Sequence, residues 1–288
     1  MSLIGLPMFK KLSAYTRLTR MNKPVGWLLL LWPTLWAVWI AGYGSPKITI
    51  VVIFVVGVII MRAAGCIVND YLDKDLDGHV SRTRNRPLVT GEVTTYEALL
   101  LFVVLIVMAL FLVLILGRLT LLFALVGFFL VITYPLFKRF THLPQLYLGV
   151  VFSWGIPLAF VAQQGKVPNI AWMLFLANFL WVVAYDTMYA MADRPDDKKI
   201  GIKSTAILVG KYDLIFNIAC QAASLGVLAA IGNLLELGLW FYAGLCVAGL
   251  TAVYQSYLCK SRDRELCLKA FINNIWFGGA IFIGLVMA

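Results

Sequence analysis

Eight of the 14 acidic residues of this chain fall in two short clusters, each closing a long apolar run. The first holds Asp70, Asp73, Asp75 and Asp77, the second Asp186, Asp193, Asp196 and Asp197. Carboxylates beside hydrocarbon are costly and mark functional sites. On a continuing helix Asn69, Asp70, Asp73 and Asp77 share one face, while Asp75 points away toward water. Asp186, Tyr189 and Asp193 form a second stripe of the same kind. Two facing stripes make an oxygen-rich cage for Mg²⁺, which completes its octahedron with water and phosphate oxygens. Acids that merely solvate helix ends are the simpler reading, but it suits one aspartate better than two matched stripes. Pro195 predicts a helix break after the second stripe, which leaves the direction of Asp196 and Asp197 open.

Cations follow both stripes: Arg82, Arg84 and Arg86 after the first, Lys198, Lys199 and Lys203 after the second. Guanidinium forks suit phosphate oxygens and ammonium groups supply point charge. The same residues also serve as topology signals. Arg62 is different, since it lies about two helical turns, roughly 10 Å, inward of Asn69. It needs an acid partner or a polar cavity. The run Tyr134-Pro-Leu-Phe-Lys138-Arg139 closes another apolar segment, where snorkelling cations are one reading and an anion site is the other. Trp27, Trp32, Trp36 and Trp39 read as interfacial and packing residues.

The elements that must position these residues are transmembrane helices. The chain is 62% hydrophobic and 13% charged, with mean hydropathy +0.90. Its apolar runs are about 20 residues long, enough to cross a hydrocarbon core of roughly 30 Å. About nine spans are expected, over residues 24–42, 47–69, 94–116, 119–138, 143–163, 168–192, 213–231, 237–258 and 268–287. Short turns such as Gly42-Tyr-Gly-Ser-Pro46 leave room for one bundle, a single domain over residues 1–288, with no second soluble domain. With the N-terminus inside, 20 of the 24 Lys/Arg fall on one side, so the N-terminus is expected in the cytoplasm. The net charge of +10 is then topology and not a nucleic-acid patch. Residues 1–23 are basic and amphipathic and read as an interfacial helix rather than a cleaved signal. The five cysteines carry no C-x-x-C pair and read as small hydrophobes. Both clusters follow even-numbered spans, on the cytoplasmic face, and each precedes a long polar connection, which suggests two related four-span halves plus a ninth helix.

Asn69-Asp70-x-x-Asp73-x-x-x-Asp77, then Arg82-Thr-x-x-Arg86-Pro, with Asp186-x-x-Tyr189-x-x-x-Asp193, resembles the UbiA-type intramembrane aromatic prenyltransferases over essentially the whole chain. Arg62-Ala-Ala-Gly-Cys-Ile-Val-Asn69-Asp70, His142-Leu-Pro-Gln145 and Lys199-Ile-Gly-Ile-Lys203-Ser-Thr are similar to the branch that prenylates 4-hydroxybenzoate for ubiquinone. The resemblance implies an all-α multi-pass membrane protein, with helices around a central cavity, in a bacterial inner membrane. It implies Mg²⁺ as cofactor, a polyprenyl diphosphate as donor, and attack by the ring carbon ortho to the acceptor's phenol. Asn69, Asp70, Asp73, Asp77, Asp186 and Asp193 would hold Mg²⁺–diphosphate, with Asp70, Asp73, Asp186 and Asp193 central to catalysis. Arg82, Arg86, Lys199 and Lys203 would touch phosphate. Tyr134, Lys138 and Arg139 would serve the acceptor, Arg139 on its carboxylate. Alternatives are another acceptor (a dihydroxynaphthoate, homogentisate or a porphyrin) and, in a different class, a divalent-cation or metabolite transporter. Transporters usually break helices near the midplane, whereas these clusters lie at helix ends.

Overall fold

The computed structural model describes residues 8–78, 83–141 and 143–288, without the side chains of residues 8, 76, 138–140 and 200. All regular structure among the described residues is helical. The helices are α1 (Met8–Leu18), α2 (Val25–Ala41), α3 (Ile48–Leu72), the single turn α4 (Lys74–Asp77), α5 (Thr95–Ile115) and α6 (Arg118–Phe140). There follow α7 (Pro144–Ser153), α8 (Gly155–Gln164), α9 (Asn169–Ile200), α10 (Thr205–Val209), α11 (Asp213–Leu234), α12 (Leu239–Cys259) and α13 (Arg264–Met287).

Among the described residues, seven stretches are long and apolar enough to cross a membrane, with α7–α8 and α10–α11 each counted as one. They correspond to seven of the nine expected spans. The other two expected spans fall on α2, an apolar helix of 17 residues, and on α12. The latter is diluted by polar side chains such as Gln255 and Ser256 and is not among the seven. α5 and α6 show apolar side chains outward, with Phe111 and Phe129 each 65% exposed. In a lipid solvent such faces need no protein cover.

Aromatic contacts and close backbone approach hold the bundle together. Trp181 of α9 stacks between Trp36 of α2 and Phe277 of α13, with ring centroids 5.5 and 5.0 Å apart. The indole N–H groups donate to Asn274 Oδ1 and the Gly278 carbonyl, so no buried donor is wasted there. The span-1 tryptophans Trp32 and Trp36 therefore pack the core, as their positions predicted. A Cβ on Gly244 would meet the Ala280 carbonyl oxygen at 2.6 Å, which is how α12 and α13 come so close.

Three local departures from straight helices shape the region below. α3 stops at Leu72 with Asp73 as its cap, so the expected continuous helix through Asp77 is interrupted by one non-helical residue. The Asp73 N–H still donates to the Asn69 carbonyl and the Asp77 N–H to the Asp73 carbonyl, so the stripe stays in register. α7 and α8 part at Trp154, ahead of Pro157, whose ring would crowd the carbonyl four residues back. The break expected at Pro195 does not occur. α9 runs through it to Ile200 and ends at Gly201, with φ +73°. Proline removes one hydrogen bond, and Arg264 bridges its two flanks by pairing with Asp193 (3.6 Å) and Asp196 (3.0 Å). The second connection is correspondingly shorter than expected. At 32 residues, α9 is about 48 Å long, so its acidic C-terminal turns project beyond a bilayer core.

Candidate functional site

The two acidic stripes line one cavity of about 790 Å³. Asn69, Asp70, Asp73 and Asp77 enter from the α3–α4 end, and Asp186, Tyr189 and Asp193 from α9. Asp196 and Asp197, whose direction was open, also line it because α9 continues past Pro195. Asp75 is exposed outside it, as its helical phase predicted. Asp70, Asp73 and Asp77 are buried, at 1%, 2% and 7% exposure.

Buried carboxylates this close need positive charge. Arg86 pairs with Asp77 and lies 3.0 Å from Asp70 Oδ1. Arg20 grips Asp70 with a two-pronged fork, Nη1 to Oδ2 at 2.9 Å and Nη2 to Oδ1 at 2.7 Å. On the facing wall Arg264 pairs with Asp193 and Asp196. Burial holds the Asp77 carboxyl above the usual carboxylate range, and Asp73 and Asp70 push the same way against Arg86. Neither Arg20 nor Arg264 was singled out from sequence. Both read there as topology charges, 50 and 71 residues from the carboxylates Asp70 and Asp193 that they reach.

The other expected ligand residues divide. Arg86 and Lys203 line the cavity. Lys199 does not; its side chain is 77% exposed and lies 3.9 Å from Asp196. Arg82 lies outside the described residues. Tyr134 lines the cavity, while the side chains of Lys138 and Arg139 lie outside the described ones. Arg62 reaches the same cavity deep in the bundle, its guanidinium 5.9 Å from the Phe152 ring centre and its buried Nε without a hydrogen-bond partner. Gly26 makes room for it, since a Cβ there would meet Arg62 Nε at 2.8 Å. The polar cavity therefore carries acids on two walls and, inward of Asn69 along α3, the half-buried Arg62.

Leu30, Met61, Val131 and Val151 line both this cavity and a neighbouring apolar one of about 290 Å³. The apolar cavity is walled by α3, α5, α6 and α8. No three acidic, His or Cys side chains stand close enough together to hold a metal ion among the described residues. The donors nonetheless fit Mg²⁺ chemically, being carboxylates and an amide, hard oxygen ligands on two walls of one cavity. An arrangement with acids, adjoining cations and an apolar annexe can take a metal-bound diphosphate that carries a hydrocarbon chain.

Comparison with known proteins agrees with that geometry. The model of the UbiA prenyltransferase family matches residues 30–278. A Methylococcus capsulatus protein named 4-hydroxybenzoate octaprenyltransferase is 54% identical over 272 residues, covering 94% of this chain and 93% of that protein. A Vibrio atlanticus protein of the same name is 51% identical over 275 residues, 96% of this chain and 97% of its own. Among solved structures, a UbiA homologue from Aeropyrum pernix superposes with a TM-score of 0.81 at 24% identity, covering 90% of this chain and 97% of that one. A UbiA homologue from Archaeoglobus fulgidus, solved with GPP and Mg²⁺, gives 0.69 at 21% identity, over 93% and 99%.

Proposed function

Because this chain belongs to the UbiA prenyltransferase family, we propose that it moves a polyprenyl group from its diphosphate to 4-hydroxybenzoate, at the ring carbon ortho to the hydroxyl, in ubiquinone biosynthesis. Diphosphate is the leaving group. The observation that carries the reading is the meeting of both acidic stripes in one cavity with an apolar annexe. The names of the relatives supply the acceptor.

Asn69, Asp70, Asp73, Asp77, Asp186 and Asp193 would hold Mg²⁺ with the diphosphate. When bound, the metal neutralises charge that develops on the departing oxygens. Arg86 and Lys203, on the same walls, add donors to those oxygens, with Arg82 and Lys199 assigned there by motif. The C–O bond to the first prenyl carbon breaks with its electron pair leaving on diphosphate. The ring carbon supplies the pair for the new C–C bond, and the ring proton then leaves. Leu29, Val131, Phe152 and Phe271 line the cavity and keep water from the allylic cation. The apolar annexe supports a path for the donor's hydrocarbon tail.

Tyr134, Lys138 and Arg139 at the end of α6 would seat the acceptor, with Arg139 on its carboxylate. Arg62 offers a second positive charge on the cavity wall for the same group, and its buried Nε, without a hydrogen-bond partner, supports that role. We place the N-terminus and the cavity mouth at the cytoplasmic face of a bacterial inner membrane, on the Lys/Arg asymmetry. The deciding assay supplies membranes with Mg²⁺, a polyprenyl diphosphate and 4-hydroxybenzoate. Prenylated 4-hydroxybenzoate is expected. Turnover of another aromatic acceptor with none of this one would move the chain to another branch of the family, and metal flux without transfer would favour a transporter.

A further inference from the structure

Arg20 sits where the backbone favours glycine. It follows α1 at φ +59°, and the Met21 N–H donates to the Thr16 carbonyl at 3.0 Å, a helix ending whose left-handed residue is usually glycine. The side chain accounts for what the backbone does not. Nη1 donates to the carbonyls of Arg17 and Leu18, both at 3.0 Å, and to Asp70 Oδ2, while Nη2 takes Asp70 Oδ1. With Arg86 3.0 Å from the same Oδ1, the lone pairs of a 1%-exposed carboxylate are mostly spoken for. A divalent cation at Asp70 would meet two guanidinium groups. Arg20 nonetheless lines the cavity, so a diphosphate there is within its reach.

Its support is built for the purpose. Ala14 and Leu18 of α1 are buried against Ile67, Leu88, Val93 and Ala98. Lys11 pairs with Glu97 and Arg17 with Glu92, which fixes α1 beside the cavity. We propose that Arg20 is a tethered counter-ion of Asp70 that passes to the diphosphate oxygens when metal and diphosphate bind together. It is a positioning residue that opposes metal alone and favours metal with diphosphate. Metal and diphosphate then help each other to bind, by linkage through one guanidinium. The inference rests on the reading of Asp70 as a metal–diphosphate residue.

The test uses the full chain in detergent, with Mn²⁺ as metal probe and inorganic pyrophosphate as anion. Free Mn²⁺ is read by electron paramagnetic resonance, and pyrophosphate affinity by calorimetry in Mg²⁺. Arg20→Gln should bind Mn²⁺ alone several-fold more tightly than the unaltered chain, and pyrophosphate with Mg²⁺ about tenfold more weakly. Arg20→Gly, easier on the backbone at this φ, should give the same pair of opposite shifts even if the glutamine variant folds poorly. Unchanged affinities, or both weakened together, would overturn the hand-over and leave Arg20 a structural tie. If the unaltered chain binds no Mn²⁺ even with pyrophosphate, the metal–diphosphate reading of the cavity is what fails.

Discussion

Single residues in the cavity carry unequal burdens that activity and stability measurements can separate. Asp73 and Asp193 stand on the two walls of one cavity, and the Arg264–Asp196 pair still ties α13 to α9 when Asp193 is removed. Asp73→Ala or Asp193→Ala should lower turnover by on the order of a thousandfold, with size-exclusion profile and tryptophan fluorescence unchanged. Near-normal turnover in either variant would remove the proposed cage. Arg62 is a half-buried cation whose buried Nε has no hydrogen-bond partner. Arg62→Gln should raise KM for 4-hydroxybenzoate by about tenfold, the scale of a lost hydrogen bond to a charged group, and leave KM for the prenyl diphosphate nearly unchanged. A rise confined to the diphosphate would place Arg62 with the donor instead.

At the scale of elements, α1 and α9 determine which groups reach the cavity. Arg17 holds the Glu92 carboxyl below its ordinary 4.5. A carboxylate with a lowered pKa in the docked state contributes stability above the undocked value, and loses it as pH falls through the lowered one. The effect is modest because the pair is about one-third exposed. The protection factors of the α1 amides, corrected for the intrinsic exchange rate, should therefore fall selectively as pH drops below about 4.5, and Glu92→Gln should flatten that change. α9 makes a different point, because its helix is continuous through Pro195. Pro195→Ala restores an N–H within the helix, so thermal stability should hold or rise, with transfer activity retained within about twofold. A variant that lost activity would show that the proline itself, and not merely the helix, aims Asp196 and Asp197.

At the scale of the whole molecule, the contacts that hold the fold are made by side chains and backbone. Its core is the stack of Trp36, Trp181 and Phe277 with the close α12–α13 contact, and arginines balance the buried acids. Chelation with EDTA should abolish prenyl transfer, and Mg²⁺ should restore it, while helical content by circular dichroism stays constant. Loss of helix on chelation would make the metal structural.

Much of this molecule was legible in residue order because its local physics repeats along the chain. Apolar runs long enough to span lipid, carboxylates at helical spacing and one-sided Lys/Arg are all short-range patterns. They identified both stripes, excluded Asp75 and marked Arg62 as too deep for a loop charge. Residue order alone misread Pro195, because a proline's local penalty is only one contribution to whether a helix continues, and contacts from distant elements, among them Arg264 of α13 on both flanks, add to the others. It also passed over Arg20, whose role exists only because α1 packs beside a carboxylate 50 residues away. Lys199 and Lys203 belong to one motif, yet the turn at Gly201 leaves one exposed and puts the other on the cavity wall. Periodicity therefore determined by itself what each helix could present. Tertiary packing decided which presentations meet, because ion pairs and close backbone contacts join residues that are distant in the chain.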